Sequence, residues 1–204
     1  MSVFKRLFPP LVAAGALFVA TAAAAAPVIG QPAPAFQPKD ANGGAVSLAQ
    51  FRGKTVVLEW TNSGCPFVQH AYKSGVMPEL QRRAAKDGVV WLTVFSSAPG
   101  KQGYMQPGGV GAWKAQMAAS PADVVLDPAG AVGRTYAAKT TPHMFIVGPK
   151  GDLVYMGGLD DKPSTDPADA ETAHNYVQAA LDDLKAGRSV RTAATRPYGC
   201  AVKY

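Results

Sequence analysis

Cysteine and histidine are scarce: the 204 residues hold two of the first, Cys65 and Cys200, and three of the second. No cysteine pair or close histidine pair has metal-ligand spacing, so His70, His143 and His174 do not point to a metal site, and no cofactor is expected. Charge is sparse too, at 17% of residues, and the basic excess of 20 over 14 is scattered, which argues against a nucleic-acid or membrane-surface partner. There is no internal repeat, and the apolar run from Leu11 to Ala20 is too short to cross a bilayer comfortably.

That run has a different use. Lys5 and Arg6 precede it and an alanine tract ending at Ala26 follows, the pattern of a cleaved secretory signal peptide over residues 1–25. The protein is therefore expected to be periplasmic or secreted, without stable membrane insertion. Losing Lys5 and Arg6 leaves 18 basic against 14 acidic residues, a net charge of about +4. What remains suits one domain over 26–187 followed by a basic tail over 188–204 that carries Cys200. An exported chain meets oxidising surroundings, so Cys65 and Cys200 are candidates for a disulfide, which on chain-entropy grounds would contribute about 5 kcal/mol.

Along the chain, a Pro-rich stretch leads to an Asn42-Gly43-Gly44 turn, read as a small hairpin or loop. Thr55–Trp60 and Val89–Ser96 are apolar nearly throughout, as strands covered on both faces are. Between them a helix is expected from Pro66 to about Lys86, broken near Gly75 or Pro78. Residues 98–109 form a Gly/Pro-rich loop, followed by a helix over 110–119, a strand over 124–126 and a helix over 129–138. Met144–Val147 and Leu153–Met156 flank a Pro149-Lys150-Gly151 turn and predict an antiparallel hairpin. A last helix is expected from Pro167 to about Ala186, capped by Asp166.

Three features carry chemistry. Cys65 stands where a strand turns into a helix, and free N–H groups and the helix dipole there favour a thiolate. Thr141-Pro142 immediately precedes a strand, and if the bond is cis it leaves a backbone edge for an extended substrate. Glu59 lies inside an apolar strand, where burial makes it a weaker acid suited to proton exchange; the plainer reading is an acid paired with a lysine. The candidate catalytic residues are Cys65, Cys200 and Glu59, and the candidate substrate-binding residues Thr141, Pro142 and Pro66. Arg134 is a weaker candidate for stabilising a thiolate or peroxide.

The segments IGQPAPAF, SLAQFRGKTVVLEWTNSGCPFV and TTPHMFIVGPKGDLVYMG, within Val28 to Gly158, resemble the thioredoxin-like redoxins, the group of alkyl hydroperoxide reductase and thiol-specific antioxidant proteins. The tail TRPYGCAVKY resembles a redoxin subgroup pairing a CPFV motif with a carboxyl-terminal cysteine. The resemblance implies an α/β thioredoxin-like fold, a central mixed sheet flanked by helices. It also implies that Pro142 is the cis-proline, Cys65 the first redox cysteine and Glu59 the buried acid. There are departures. Val68 stands where thioredoxins have their second cysteine, and Asn62 and Leu58 stand where peroxiredoxins have threonine and proline. Cys200 offers the missing thiol: it either resolves an oxidised Cys65 or staples the tail permanently. The expected activity is thiol-disulfide exchange on a protein or small substrate, with an external thiol reductant. A hydroperoxide reductase and a non-catalytic binding protein with a structural Cys65–Cys200 bond are the alternatives.

Overall fold

Two runs of β-branched and apolar residues make the centre of the sheet. In the computed structural model, which describes residues 26–204, they are β2 (Val56–Trp60) and β3 (Val90–Phe95), parallel to one another and buried along their whole length. The expected signal peptide lies outside the described residues. β4 (Asp123–Leu126) continues the sheet parallel to β3, and β1 (Lys39–Asp40) closes that edge antiparallel to β4. On the other side β6 (His143–Val147) runs antiparallel to β2, and β7 (Leu153–Gly157) antiparallel to β6. The six-stranded order is β1-β4-β3-β2-β6-β7, a mixed sheet. A separate two-stranded ribbon joins β5 (Thr140–Thr141) to β8 (Cys200–Ala201).

Because side chains alternate along a strand, successive residues of β2 feed opposite cores. Val57 packs with Trp91, Phe95, Met144 and Ile146 under α1 (Pro66–Lys73), α2 (Val76–Lys86), α3 (Val110–Met117) and α6 (Tyr176–Lys185). Val56, Leu58 and Trp60 pack on the other face with Val94, Phe145 and Tyr136, next to α4 (Ala131–Thr135). Trp60 meets Tyr136 and Phe145 at ring separations of 5.3 and 5.1 Å, so this face is pinned by aromatics directly behind the strand end that carries the site.

The helix after Cys65 breaks at Gly75, whose φ of 84° few other residues adopt cheaply. The single helix expected over 167–186 is instead two, α5 (Pro167–Thr172) and α6. Asp166 caps the first as expected, accepting from the Ala168 N–H at 3.0 Å. Asn175 then caps the second through the Gln178 N–H at 2.8 Å, while the Tyr176 N–H donates to the Leu159 carbonyl. An apolar stripe does not register such a break, because the second helix resumes the same buried face. α4 is shorter than the expected 129–138, bounded by Gly130 and Ala137 in left-handed conformations. The Asn42 turn is a hairpin whose first arm, β1, joins the main sheet, and Asp40 closes it by accepting from the Asn42 and Gly44 N–H groups at 2.8 and 2.7 Å. Among the described residues no helix is long and apolar enough to cross a membrane.

Candidate active site

Cys65 is the N-cap residue of α1, with Pro66 as the first helical residue, exposed beside it. A tight turn delivers it: the Cys65 N–H donates to the Asn62 carbonyl at 3.0 Å and the Gly64 N–H to Asn62 Oδ1 at 2.8 Å. The Gly/Pro-rich loop braces that turn from outside, since Gln102 Nε2 donates to the Gly64 carbonyl and Asn62 Nδ2 to the Gln102 carbonyl. Asn62 and Gln102 are thus parts of the site that sequence reading missed. Asn62 stood out only as a departure from a family pattern, and nothing in the spacing links it to Gln102.

The tail supplies the other sulfur. β8 pairs antiparallel with β5 so that Cys200 lies opposite Thr141, and the Thr141–Pro142 peptide is cis. The sulfurs of Cys65 and Cys200 are 2.6 Å apart, so a small movement joins them at the about 2.05 Å of a disulfide. As a thiol, Cys65 donates to the Thr141 carbonyl at 3.1 Å. Thr141 therefore touches both partners, with its carbonyl toward Cys65 and its hydroxyl toward the Cys200 carbonyl at 3.4 Å. Cys65 has no exposed surface.

Register at Cys200 depends on its neighbour. Gly199 has φ 123°, and a Cβ there would overlap the Thr141 carbonyl, a backbone group held in the ribbon. Gly199→Ala is expected to slow closure of the Cys65–Cys200 bond at least about tenfold by displacing the tail, as followed by loss of titratable thiols from the reduced protein. Closure at the wild-type rate would show that the ribbon does not set the register.

The two thiols are electrostatically unequal. Burial pushes Cys65 up, but hydrogen bonds from the Cys200 thiol, the Val68 N–H and the Cys200 N–H outweigh it, and the net direction is down. Cys200 is pushed up to about 11, by burial first and then by its hydrogen bond to Cys65 and the charge there. Cys65 is therefore the more acidic of the two thiols, and Cys200 the one that donates when Cys65 ionises.

Glu59, next to last in β2, is fully buried. Its partners are donors: the Tyr72 hydroxyl to both oxygens at 2.8 and 2.9 Å, Trp91 Nε1 at 2.9 Å, Thr93 Oγ1 at 3.1 Å and Gln81 Nε2 at 3.2 Å. None is a lysine, and none is either sulfur. Burial raises its pKa above the ordinary carboxylate value, against the hydrogen bonds from Trp91, Tyr72 and Thr93. Arg134 does not face Cys65; its guanidinium lies 5.2 Å from the centre of the Tyr204 ring and donates to the Ala129 carbonyl.

The AhpC/TSA family model matches residues 29–156, a span that holds Glu59, Cys65 and Pro142 and stops before Cys200. A search of curated proteins found no significant match. Among solved structures, an uncharacterized conserved protein from Geobacillus kaustophilus is similar at 25% identity and TM-score 0.74, over 87% of this chain and 92% of that one. A hypothetical protein from Sinorhizobium meliloti 1021 gives 23% and 0.73, over 87% and 94%. A candidate thiol:disulfide interchange protein DsbE from Chlorobium tepidum gives 24% and 0.52, over 64% and 85%, a likeness of fold. The fold is thioredoxin-like, as the sequence implied.

Proposed function

Because the chain belongs to the AhpC/TSA family, we propose that it is an exported thiol-disulfide oxidoreductase in which Cys65 attacks and Cys200 resolves. Redoxin-type chemistry is supported by the family; the roles of individual residues rest on the site. The observation that carries them is the seating of Cys200 on Cys65 by the β5–β8 ribbon. The Cys65 thiolate attacks a substrate disulfide RS–SR, forming Cys65–S–SR and releasing RS⁻. Cys200 then loses its proton and attacks the Cys65 sulfur, so that the Cys65–Cys200 bond forms, the bond to SR breaks and the second RS⁻ leaves. An external dithiol returns the pair to the reduced state. Thr141, Pro142 and Pro66 border the point of attack, and an extended substrate would pair where the tail now lies. Glu59 is the buried acid beneath the site, kept protonated to a higher pH than an ordinary carboxylate.

Support for the exported location comes from the leader pattern in residues 1–25. The hydroperoxide reading is favoured by the family but not by the turn, where Asn62 stands in place of threonine. Peroxide would convert Cys65 to a sulfenic acid that Cys200 condenses with, releasing water.

Reduced protein mixed with an aromatic disulfide such as dithiobisnitrobenzoate should release two equivalents of thionitrobenzoate in succession, and Cys200→Ser only the first, leaving a stable mixed disulfide on Cys65. The pair should also equilibrate with thiol buffers at a potential above about −300 mV, where working couples lie. A wild-type product that keeps a thionitrobenzoate group on each cysteine, and no Cys65–Cys200 bond, would remove the resolving role, and a potential below that value would make the bond a staple.

A further inference from the structure

We infer that Tyr204 is the positioning residue of the resolving step, a latch that closes the last five residues of the tail over Cys65. The inference rests on the two-cysteine reading above and adds what holds Cys200 in place.

The tail is anchored unevenly on the two sides of Cys200. Upstream it is tied many times: Asp183 is gripped by Arg188 and Arg191, Thr195 bonds the Tyr155 hydroxyl at 2.7 Å and the Gly158 N–H at 3.0 Å, and the Tyr198 hydroxyl donates to Asp160 at 2.5 Å. Tyr198 also meets Phe67 of α1 edge-on, with ring centres 5.8 Å apart. Downstream, after the ribbon, two backbone bonds remain, from Val202 to the Lys139 carbonyl and from Ala98 to the Lys203 carbonyl, and then Tyr204. This is the side from which the tail can open.

Tyr204 occupies a cradle built for it. Its ring lies against Gly130 and Gly133, where a Cβ on either glycine would overlap ring atoms. Arg134 covers it as a cation over an aromatic face, and its hydroxyl donates to the Ala138 carbonyl at 2.9 Å. Gly130 has a left-handed φ of 66°, which by itself explains a glycine. Gly133 does not: it sits inside α4 with ordinary helical backbone, where alanine would be the better helix former. The nearest atoms a methyl group there would meet all belong to Tyr204. The open space at Gly133 therefore serves the ring and not the helix.

A latch at this place has opposite effects on the two half-reactions. While closed, the tail covers Cys65 and delays the first attack, yet it holds Cys200 at a high effective concentration for the second. Opening it should expose Cys65 and at the same time disperse its partner. General weakening of the fold would not produce that opposition of sign.

The test is the release of thionitrobenzoate from dithiobisnitrobenzoate by the reduced full chain, in wild type, a variant lacking Tyr204, Gly133→Ala and Tyr204→Phe. Deletion of Tyr204 and Gly133→Ala should each speed the first equivalent and slow the second, by about tenfold apiece, the scale of one docked aromatic with its hydrogen bond. Tyr204→Phe keeps the ring and should restore most of both rates. Gly133→Ala leaves every Tyr204 atom in the chain and favours α4, so its effect cannot come from an unfolded protein. Unchanged phases, or two phases moving in the same direction, overturn the latch. Cys200→Ser, run beside them, separates the readings: if it keeps one thionitrobenzoate group where wild type ends free of it, while the Tyr204 variants behave as wild type, the resolving role stands and the latch alone fails.

Discussion

Cys65→Ser is expected to react with an aromatic disulfide at pH 7 at least about tenfold more slowly than the native chain, although Cys200 is still present, and to form no intramolecular bond. With its pKa at about 11, Cys200 lies four units above pH 7, which leaves about one thiolate in 10⁴. The substitution removes the hydrogen bond and charge of Cys65, but burial is the larger cause of that shift and remains. A thiolate of higher basicity is a better nucleophile, and with a Brønsted coefficient of about 0.4–0.5 this recovers only about tenfold over two units. The fold should survive: serine is a favoured N-cap at the head of α1, and its hydroxyl can donate to the Thr141 carbonyl as the thiol does. Stopped-flow release of thionitrobenzoate checks the rate, and melting checks the fold. Reaction of folded Cys65→Ser at the wild-type rate would move the nucleophile to Cys200 and reverse the assignment.

The centre of this architecture was legible because its signals are local. Thr55–Trp60 and Val89–Ser96 read as doubly buried strands for the reason they are: every position of β2 and β3 faces one of two cores. Gly75 broke the helix where a positive φ was needed, and Pro66 fixed its start. The break between α5 and α6 was hidden because Asn175 acts as a cap only through a contact made with Leu159, and α6 buries the same stripe a continuous helix would. In the site, Cys65, Glu59 and Pro142 could be singled out by type and context. The brace of Asn62 by Gln102 could not, since it joins residues 40 apart in a loop with no periodicity. The tail lay between these cases. Its cysteine suggested a partner for Cys65, but the pairing with Thr141 is a long-range strand register, and the role of Gly133 is visible only once Tyr204 is seen against it.

Glu59→Leu should cost about 3 kcal/mol or more of folding stability, whereas Glu59→Gln should cost about 1 kcal/mol. The leucine leaves Trp91 Nε1 and the Thr93 and Tyr72 hydroxyls without their buried acceptor, and Gln81 Nε2 with only the Tyr72 hydroxyl at 3.0 Å; each orphaned group carries a penalty of about 1–3 kcal/mol, softened where a hydroxyl turns elsewhere. Gln81 cannot turn freely, because its carbonyl oxygen accepts from the Ser120 N–H at 2.7 Å and so fixes the amide toward Glu59. Glutamine at position 59 keeps one acceptor oxygen for the Trp91, Gln81 and Thr93 donors and turns its NH₂ to the Tyr72 hydroxyl, which has a lone pair to receive it. In a domain of this size about 3 kcal/mol corresponds to about 6–12 °C in the melting temperature. The pH dependence separates charge from hydrogen bonding. Glu59 has its folded pKa raised above the ordinary 4.5, so the stabilisation it contributes is complete below that value and is lost as pH rises through the folded one. Native protein should therefore lose stability with rising pH across a window that begins near 4.5, and both variants should lack that component. Urea midpoints measured across that window decide it: a Glu59→Leu protein as stable as Glu59→Gln would mean that the four donors find other acceptors, and that the carboxyl is an ornament of the core and not its organiser.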